Sequence, residues 1–189
     1  QAWVHLGGGN SGLMIAWASG CTILPDGLDA AVAAPVFCAG YTVMSGLRNA
    51  DPKPGERVAV LGLGGLGHLA LQYSHALGLE TFALTGQAGK REELRRMGAD
   101  EVLVSRDEPG KALSEAGGAD VVLSTTNASK QVASAFAALR PGGRLINMGV
   151  TTDGPIPIAA MTLMMGQRQL RGSSQDERSD PWEALQLVA

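Results

Sequence analysis

The chain has 189 residues, of which 45% are hydrophobic and 17% charged, a composition typical of a soluble globular protein with a sizeable core. A formal net charge of −3 gives no basic surface for nucleic acid or anionic lipid, and 4% aromatic residues offer little for stacking on bases. We therefore expect neither a nucleic-acid nor a membrane partner.

The amino-terminal part, residues 1–36, is rich in glycine and irregular. Apolar runs at 13–17 and 21–24 predict short strands that pair with something else, and Asp29 is placed to cap a short helix over 30–34. The first residues have no positively charged signal-peptide region and resemble a segment cut from a longer protein. We interpret this part as the remnant of another domain or a linker.

Residues 37–189 show a different sequence pattern, in which short apolar runs rich in β-branched residues alternate with helical patterns. The predicted strands are 57–61, 80–85, 101–104, 119–124, 144–148 and 168–173. The predicted helices are 37–49, 66–78, 90–97, 110–116, 128–139 and one that begins near Asp180. Alternating strands and helices indicate βαβ units, and continuous apolar strands indicate a parallel sheet covered on both faces. The sequence predicts an α/β fold with a doubly wound, six-stranded parallel sheet of Rossmann type.

A glycine-rich turn joins the first predicted strand to the next helix. Gly62 fits a tight turn, Gly64 lets the backbone approach a pyrophosphate, and Gly67 allows the helix to pack closely on the strand. The helix amino terminus then offers free N–H groups and a positive dipole to the phosphates. We assign the whole turn to dinucleotide binding: Gly62, Leu63, Gly64, Gly65, Leu66 and Gly67.

The end of the second predicted strand indicates which dinucleotide is bound. NAD-binding domains place a carboxylate there for the ribose hydroxyls, whereas this chain has Thr85, followed by Gly86 and Gln87. Lys90 and Arg91 add positive charge, which attracts a 2′-phosphate that a carboxylate would repel. The sequence predicts NADP(H) in preference to NAD(H), with Thr85 to Gln87 and Lys90 as contacts.

Several motifs together resemble the medium-chain, zinc-dependent alcohol dehydrogenases, and within them the cinnamyl-alcohol-dehydrogenase-like branch. They are AAPVFCAGYTV at 33–43, VAVLGLGGLGH at 58–68, MGAD at 97–100, ADVVLSTT at 119–126 and LRPGGRLINMGV at 139–150. The resemblance covers nearly the whole chain. It implies a Rossmann cofactor domain over 37–189, truncated in its last helix, and a partial GroES-like catalytic domain over 1–36.

The resemblance also implies roles for individual residues. Cys38 matches a cysteine that supplies one ligand to the catalytic zinc, and Thr42 matches a threonine that contacts the cofactor near its nicotinamide. Further cofactor contacts near the nicotinamide and after the last strand match Thr125, Gly149, Val150, Ser173, Ser174 and Gln175.

For the intact enzyme, the resemblance implies hydride transfer between NADP(H) and a primary alcohol or aldehyde, with zinc polarising the substrate oxygen. The remaining zinc ligands and the proton-relay hydroxyl lie outside this sequence, so we expect no catalytic residue within the chain and no turnover by it alone. The substrate is a small molecule, the family suggests a possible homodimer, and the two cysteines fit a reducing cytoplasm.

Three other functions remain open. A zinc-free quinone or enoyl reductase has the same fold, but Cys38 argues against it because those relatives lack a zinc ligand there. A methyltransferase also uses a glycine-rich turn, but it needs a ribose-binding carboxylate where this chain has Thr85. A non-catalytic dinucleotide-binding module is the third.

Other chemically suggestive residues have simpler interpretations. We expect Cys21 in the core, His68 to pack a helix, and the methionines of 159–166 to lie in the core or at a contact between domains or subunits. Arg168 and Arg171 flank the last strand and are expected to be solvated.

Overall fold

Six parallel strands form one sheet in the computed structural model, which describes residues 12–175 and 180–188. The strands are β1 (Arg57–Leu61), β2 (Glu80–Thr85), β3 (Glu101–Val104), β4 (Ala119–Ser124), β5 (Leu139–Asn147) and β6 (Gln169–Gly172). Their order in the sheet is β3-β2-β1-β4-β5-β6, and every neighbouring pair is parallel. This is the doubly wound Rossmann order, so the predicted fold class is confirmed.

Helices connect the strands and cover both faces of the sheet. They are α1 (Ala30–Ala33), α2 (Ala39–Ala50), α3 (Gly65–Ala76), α4 (Arg91–Arg96), α5 (Pro109–Glu115), α6 (Ser129–Ala137), α7 (Ala160–Met165) and α8 (Asp180–Gln186). Short 3₁₀ turns lie at Ala18–Gly20, Ala34–Phe37 and Ala88–Lys90. As predicted, the Asp29 side chain caps α1, accepting a hydrogen bond of 2.6 Å from the amide of Ala31.

The core lies on both sides of the central strands because successive side chains of a strand point to opposite faces. On one face Val60 packs in a cluster with Leu47 of α2 and Leu71 of α3. On the other face Leu61 packs with Phe136 of α6. The sheet is therefore buried on both sides, as the continuous apolar strands predicted.

An ion pair between Arg144 of β5 and Glu56 joins this strand to the turn that follows α2. Arg144, only 8% exposed, donates two parallel hydrogen bonds of 2.9 and 2.6 Å to the carboxylate of Glu56. Its guanidinium also donates to the carbonyl oxygens of Ala50 and Asp51, at 2.5 and 2.9 Å. Hydrogen bonds from Arg144 hold the pKa of the Glu56 carboxyl below its usual value, against the opposing effect of burial.

Two predictions for the amino-terminal part are wrong. Residues 13–17 and 21–24 form no strand, because a strand needs a hydrogen-bonding neighbour and all six strands of the sheet come from Arg57 onward. Cys21 is exposed and not in the core, since residues 12–21 lie outside the packed clusters.

Near β5 the structure also departs from prediction. The preceding helix ends at Ala137, and β5 begins at Leu139 because that residue pairs with Ala119 of β4 before the register shifts. The methionines Met161 and Met164 are 61% and 64% exposed on α7, so the core interpretation is excluded for them.

The arginines around β6 are hydrogen-bonded and not merely solvated. Arg168 donates from Nε to the carbonyl oxygen of Leu139 at 2.8 Å, and Arg171 donates to that of Asn49 at 2.6 Å. Both acceptors are distant in sequence, which is why local pattern gave no sign of them. No single described helix is long and apolar enough to cross a membrane, although the bent pair 30–37 and 39–50 meets the length and composition criteria.

Candidate cofactor-binding site

The glycine-rich turn has the geometry that a phosphate-binding loop needs. Gly62 has φ = +89°, a conformation that side chains rarely adopt, and an added Cβ there would meet the amide nitrogen of Thr126 at 2.8 Å. A Cβ at Gly67 would lie 2.0 Å from the carbonyl oxygen of Gly62. The two glycines are therefore required by the close packing of β1, α3 and the end of β4.

The middle of the turn is open, in contrast to its ends. Added Cβ atoms at Gly64 and Gly65 would meet nothing within 4 Å. The amino terminus of α3 has no side-chain cap, and His68 is the residue whose amide bonds to the carbonyl oxygen of Gly64, at 3.0 Å. The amides of residues 65–67 precede that bond and have no intrahelical acceptor. This end of α3 can receive an anion.

A cleft of about 200 Å³ adjoins the turn at the carboxyl ends of the first three strands. It is lined by Leu61, Gly62, Leu63, Leu84, Thr85, Gly86, Gln87, Lys90, Ser105, Arg106 and Gln131. Of the residues predicted for the adenosine side, Thr85, Gly86, Gln87 and Lys90 are thus brought together. The Thr85 hydroxyl oxygen accepts a hydrogen bond of 3.1 Å from the amide of Gln87, which shapes the turn after β2.

The charge around this cleft is positive. Lys90 and Arg106 line it, and among the described residues that line it none is acidic. Arg91, which the sequence placed beside Lys90, instead forms an ion pair of 3.6 Å with Glu101 and is not a lining residue. The second cation of the cleft comes from the end of β3.

Sequence reasoning missed three polar lining residues, namely Ser105, Arg106 and Gln131. The signal was available for the first two, since they directly follow a predicted strand, and ligands of open parallel sheets bind at the carboxyl ends of strands. Gln131 could be found only from the fold, because α6 is brought to the cleft by the sheet order.

A loop carboxylate caps the helix that carries Gln131. Asp153 accepts hydrogen bonds of 2.9 and 3.1 Å from the amide of Ser129 at the start of α6. This backbone hydrogen bond holds the pKa of the Asp153 carboxyl below its usual value. The first turn of α6 is thereby fixed next to the cleft.

A second set of predicted residues meets at the carboxyl ends of β4 and β5. The hydroxyl of Thr125 donates a 2.5 Å hydrogen bond to the carbonyl oxygen of Gly62. A Cβ at Gly149 would lie 2.3 Å from the carbonyl oxygen of Thr126, so the two strand ends are tightly apposed there. Val150, by contrast, is 80% exposed and lies at the surface.

A third set joins α2 to the segment after β6. The Thr42 hydroxyl donates a hydrogen bond of 2.8 Å to the carbonyl oxygen of Cys38. The side-chain amide of Gln175 donates to the same oxygen at 3.3 Å. Cys38 and Thr42, predicted from one motif, are therefore neighbours of Gln175, predicted from the segment after the last strand. The amide of Ser173 donates to the carbonyl oxygen of Asn147 at 3.1 Å, continuing the β5–β6 pairing.

The remaining predicted contact, Ser174, is exposed beside this set. Cys38 carries a free, exposed thiol. Within 12–175 and 180–188 no three His, Cys, Asp or Glu side chains are close enough to hold a metal ion. A catalytic zinc takes about three protein ligands, so these residues by themselves do not make a zinc site.

Comparison with known proteins agrees with this geometry. The family model for zinc-binding dehydrogenases matches residues 65–189. The chain is 36% identical over 166 residues to the probable formaldehyde dehydrogenase AdhA of Bacillus subtilis (strain 168), covering 88% of this chain and 47% of the relative. It thus spans about half the length of the curated relatives that it matches.

Solved structures give the same result. A cinnamyl alcohol dehydrogenase from Sorghum bicolor is 32% identical with a TM-score of 0.77, over 87% of this chain and 47% of that one. The quinone oxidoreductase of Thermus thermophilus, solved alone and with NADPH, is 30% identical with a TM-score of 0.73, over 88% and 55%. The chain belongs to the zinc-binding dehydrogenase family and corresponds to the cofactor-binding domain of the medium-chain alcohol dehydrogenases.

Proposed function

We propose that this chain binds NADP(H) in preference to NAD(H), as the cofactor-binding part of an oxidoreductase that interconverts alcohols and aldehydes. The observation that carries the cofactor preference is the cleft after β2 and β3, which presents Lys90 and Arg106 and no acidic lining residue among those described. A carboxylate in this position would favour a ribose with free hydroxyls, whereas positive charge favours a 2′-phosphate.

The residues present fit a dinucleotide along the carboxyl edge of the sheet. The uncapped amides of residues 65–67 would receive the pyrophosphate, and Thr85 to Lys90 would surround the adenosine ribose. The nicotinamide half would lie towards Thr125, Gly149 and Gln175. When bound, the nicotinamide supplies or accepts a hydride, while the chain's own residues bind and orient it.

The substrate class is a proposal that rests on the relatives, whose names include alcohol, cinnamyl alcohol and formaldehyde dehydrogenases. Small primary alcohols and aldehydes are the substrates to test first. We propose that Cys38 contributes one zinc ligand in the complete site and that the remaining ligands come from outside the described residues. On this proposal the chain alone binds cofactor and does not turn over.

A zinc-free quinone reductase is the second candidate, favoured by the structural likeness to the Thermus enzyme. Zinc content of the complete protein separates the two, since the proposed alcohol dehydrogenase contains a catalytic zinc and a zinc-free reductase does not. We also propose, from the sequence, that the protein forms a homodimer and lies in the cytoplasm. Sedimentation of the purified chain tests whether it is a dimer.

Thermal unfolding with added ligands tests the cofactor class. A ligand that binds only the folded chain stabilises it by RT ln(1 + [L]/Kd), about 2.7 kcal/mol at a hundredfold excess over Kd. We expect NADPH to raise the midpoint by several degrees, NADH to raise it less, and S-adenosylmethionine to leave it unchanged. A shift with S-adenosylmethionine alone would indicate a methyltransferase, and no shift with any of the three would contradict dinucleotide binding.

A further inference from the structure

The pairing of the edge strand fixes where Arg106 lies in the cleft. It follows β3, the edge strand, and β3 pairs with β2 so that Thr85 is in register with Val104. The amide of Ser105 extends this pairing with a hydrogen bond of 2.8 Å to the carbonyl oxygen of Thr85. Arg106 is thereby placed beside Gly86, at the start of the loop that leads to Lys90.

The side chain of Arg106 passes over Gly86. A Cβ added at Gly86 would lie 3.3 Å from both the Cα and the Cβ of Arg106, and 3.5 Å from its Cγ. The absence of a side chain at residue 86 therefore makes room for the arginine stem. A glycine here also keeps a competing carboxylate away from the guanidinium.

One hydrogen bond holds the backbone of Arg106, and a second holds the residue that donates it. Its carbonyl oxygen accepts a hydrogen bond of 2.9 Å from the side-chain amide of Gln131. The Oε1 atom of Gln131 accepts in turn from the hydroxyl of Thr126, at 3.2 Å. The arginine is thus tied through α6 to the end of β4, which also packs against the glycine-rich turn.

The guanidinium of Arg106 is available to a ligand. Among the ion pairs of the described residues Arg106 takes part in none, whereas Arg91 is paired with Glu101. Asp107 and Glu108 follow Arg106 in the chain but do not line the cleft. Arg106 therefore lines the cleft, and no carboxylate of the described residues forms an ion pair with its guanidinium.

We infer that Arg106 is a specificity-determining residue of this cleft, which with Lys90 binds the 2′-phosphate of NADP(H). The inference rests on the proposed function and adds a residue to it. A phosphate monoester carries a charge of about −1.5 to −2 at pH 7, enough for two cations. The planar guanidinium matches two phosphate oxygens at once, whereas an ammonium acts as a point charge. A ribose with a free 2′-hydroxyl leaves both cations without a counter-charge.

Calorimetric titration with 2′,5′-ADP and 5′-AMP tests this directly, because the two probes differ by the 2′-phosphate and neither carries a nicotinamide. The variant Arg106→Gln keeps the stem over Gly86 and removes the charge. We expect it to bind 2′,5′-ADP about tenfold more weakly, which is about 1.4 kcal/mol. Binding of 5′-AMP should change less than about twofold, and Arg106→Lys should restore part of the loss.

Arg91→Gln is the matched control, since it removes a nearby cation that is paired outside the cleft. It should bind both probes as the unaltered chain does, and the thermal midpoint of each variant checks its folding. If the unaltered chain prefers 2′,5′-ADP and Arg106→Gln keeps that preference within about twofold, the inference is wrong and the proposed function stands. If the unaltered chain binds 5′-AMP as tightly as 2′,5′-ADP, both the role of Arg106 and the proposed preference for NADP(H) are wrong.

Discussion

Replacing Gly67 by alanine is predicted to damage the fold and the cofactor site together. The added Cβ would lie 2.0 Å from the carbonyl oxygen of Gly62 and 2.9 Å from its carbonyl carbon. These are backbone atoms of the turn, which cannot move aside by changing rotamer. Real Cβ atoms essentially never come within 3.0 Å of such a neighbour, so α3 must shift from β1 by about 1 Å.

The size of the effect follows from this shift. Overpacking in a tightly packed region costs about 1–3 kcal/mol, and each kcal/mol lowers the melting temperature of a domain of this size by about 2–4 °C. We expect Gly67→Ala to melt roughly 2–12 °C lower. Because the shift also moves the amides of residues 65–67, the Kd for NADPH should rise by about tenfold or more.

Gly64→Ala is the matched control that separates folding from binding. Gly64 has φ = −90° and ψ = −157°, which alanine accepts, and its added Cβ would meet nothing within 4 Å. The fold should melt within about 1 °C of the unaltered chain. The methyl group nevertheless stands where a pyrophosphate approaches the helix, so NADPH binding should weaken by about tenfold.

Differential scanning fluorimetry and calorimetric titration of both variants provide the comparison. The account requires that Gly67→Ala lose stability and affinity while Gly64→Ala loses only affinity. If Gly64→Ala bound NADPH as tightly as the unaltered chain, the open face of the turn would not be a phosphate site. Equal loss of stability in the two variants would refute the packing argument.

Three further predictions concern charge and exposure. Hydrogen bonds from Arg144 lower the pKa of Glu56, so the stability they contribute is present above pH 4.5 and is lost as pH falls through the folded-state pKa. Glu56→Gln should cost about 2 kcal/mol in urea unfolding at pH 7 and less at acidic pH, and a cost that does not fall as the pH is lowered below 4.5 would contradict this. Burial raises the pKa of Tyr73 to about 12, so absorbance titration should show a phenol that ionises only above pH 11 in the folded chain. The free energy of unfolding should fall as pH rises from 10 towards 12, because the unfolded chain loses this proton first. Complete ionisation of the native chain by pH 11 would contradict the raised pKa. Both Cys21 and Cys38 are exposed, so a disulfide reagent should modify two thiols without denaturant, and a thiol that reacts only after unfolding would show otherwise.

The strands and the phosphate turn could be predicted because their determinants are local. β1, β2, β3 and β4 have the predicted bounds, since each is a short apolar run between turn residues. Gly62 and Gly67 could be recognised from spacing alone, and the structure gives each a steric reason. The meeting of Thr42 with Cys38 also follows from local sequence, because the two are one helical turn apart.

What local pattern could not predict depends on residues far apart in the chain. Arg168 and Arg171 bond to carbonyl oxygens that only the folded sheet brings near. The start of β5 is decided by pairing with β4 and not by its own residues. Arg91 was expected to add positive charge beside Lys90, but the structure pairs it with Glu101 away from the cleft. Each error arises where a long-range contact decides the outcome of an ambiguous local pattern.

The most direct test of the central claim is calorimetric titration of the chain with NADPH and with NADH in the same buffer. The account predicts saturable one-to-one binding of NADPH and a weaker affinity for NADH, by about tenfold for the loss of the 2′-phosphate contacts. Equal or tighter binding of NADH would contradict the cofactor preference, and no heat of binding with either would contradict the assignment of the glycine-rich turn.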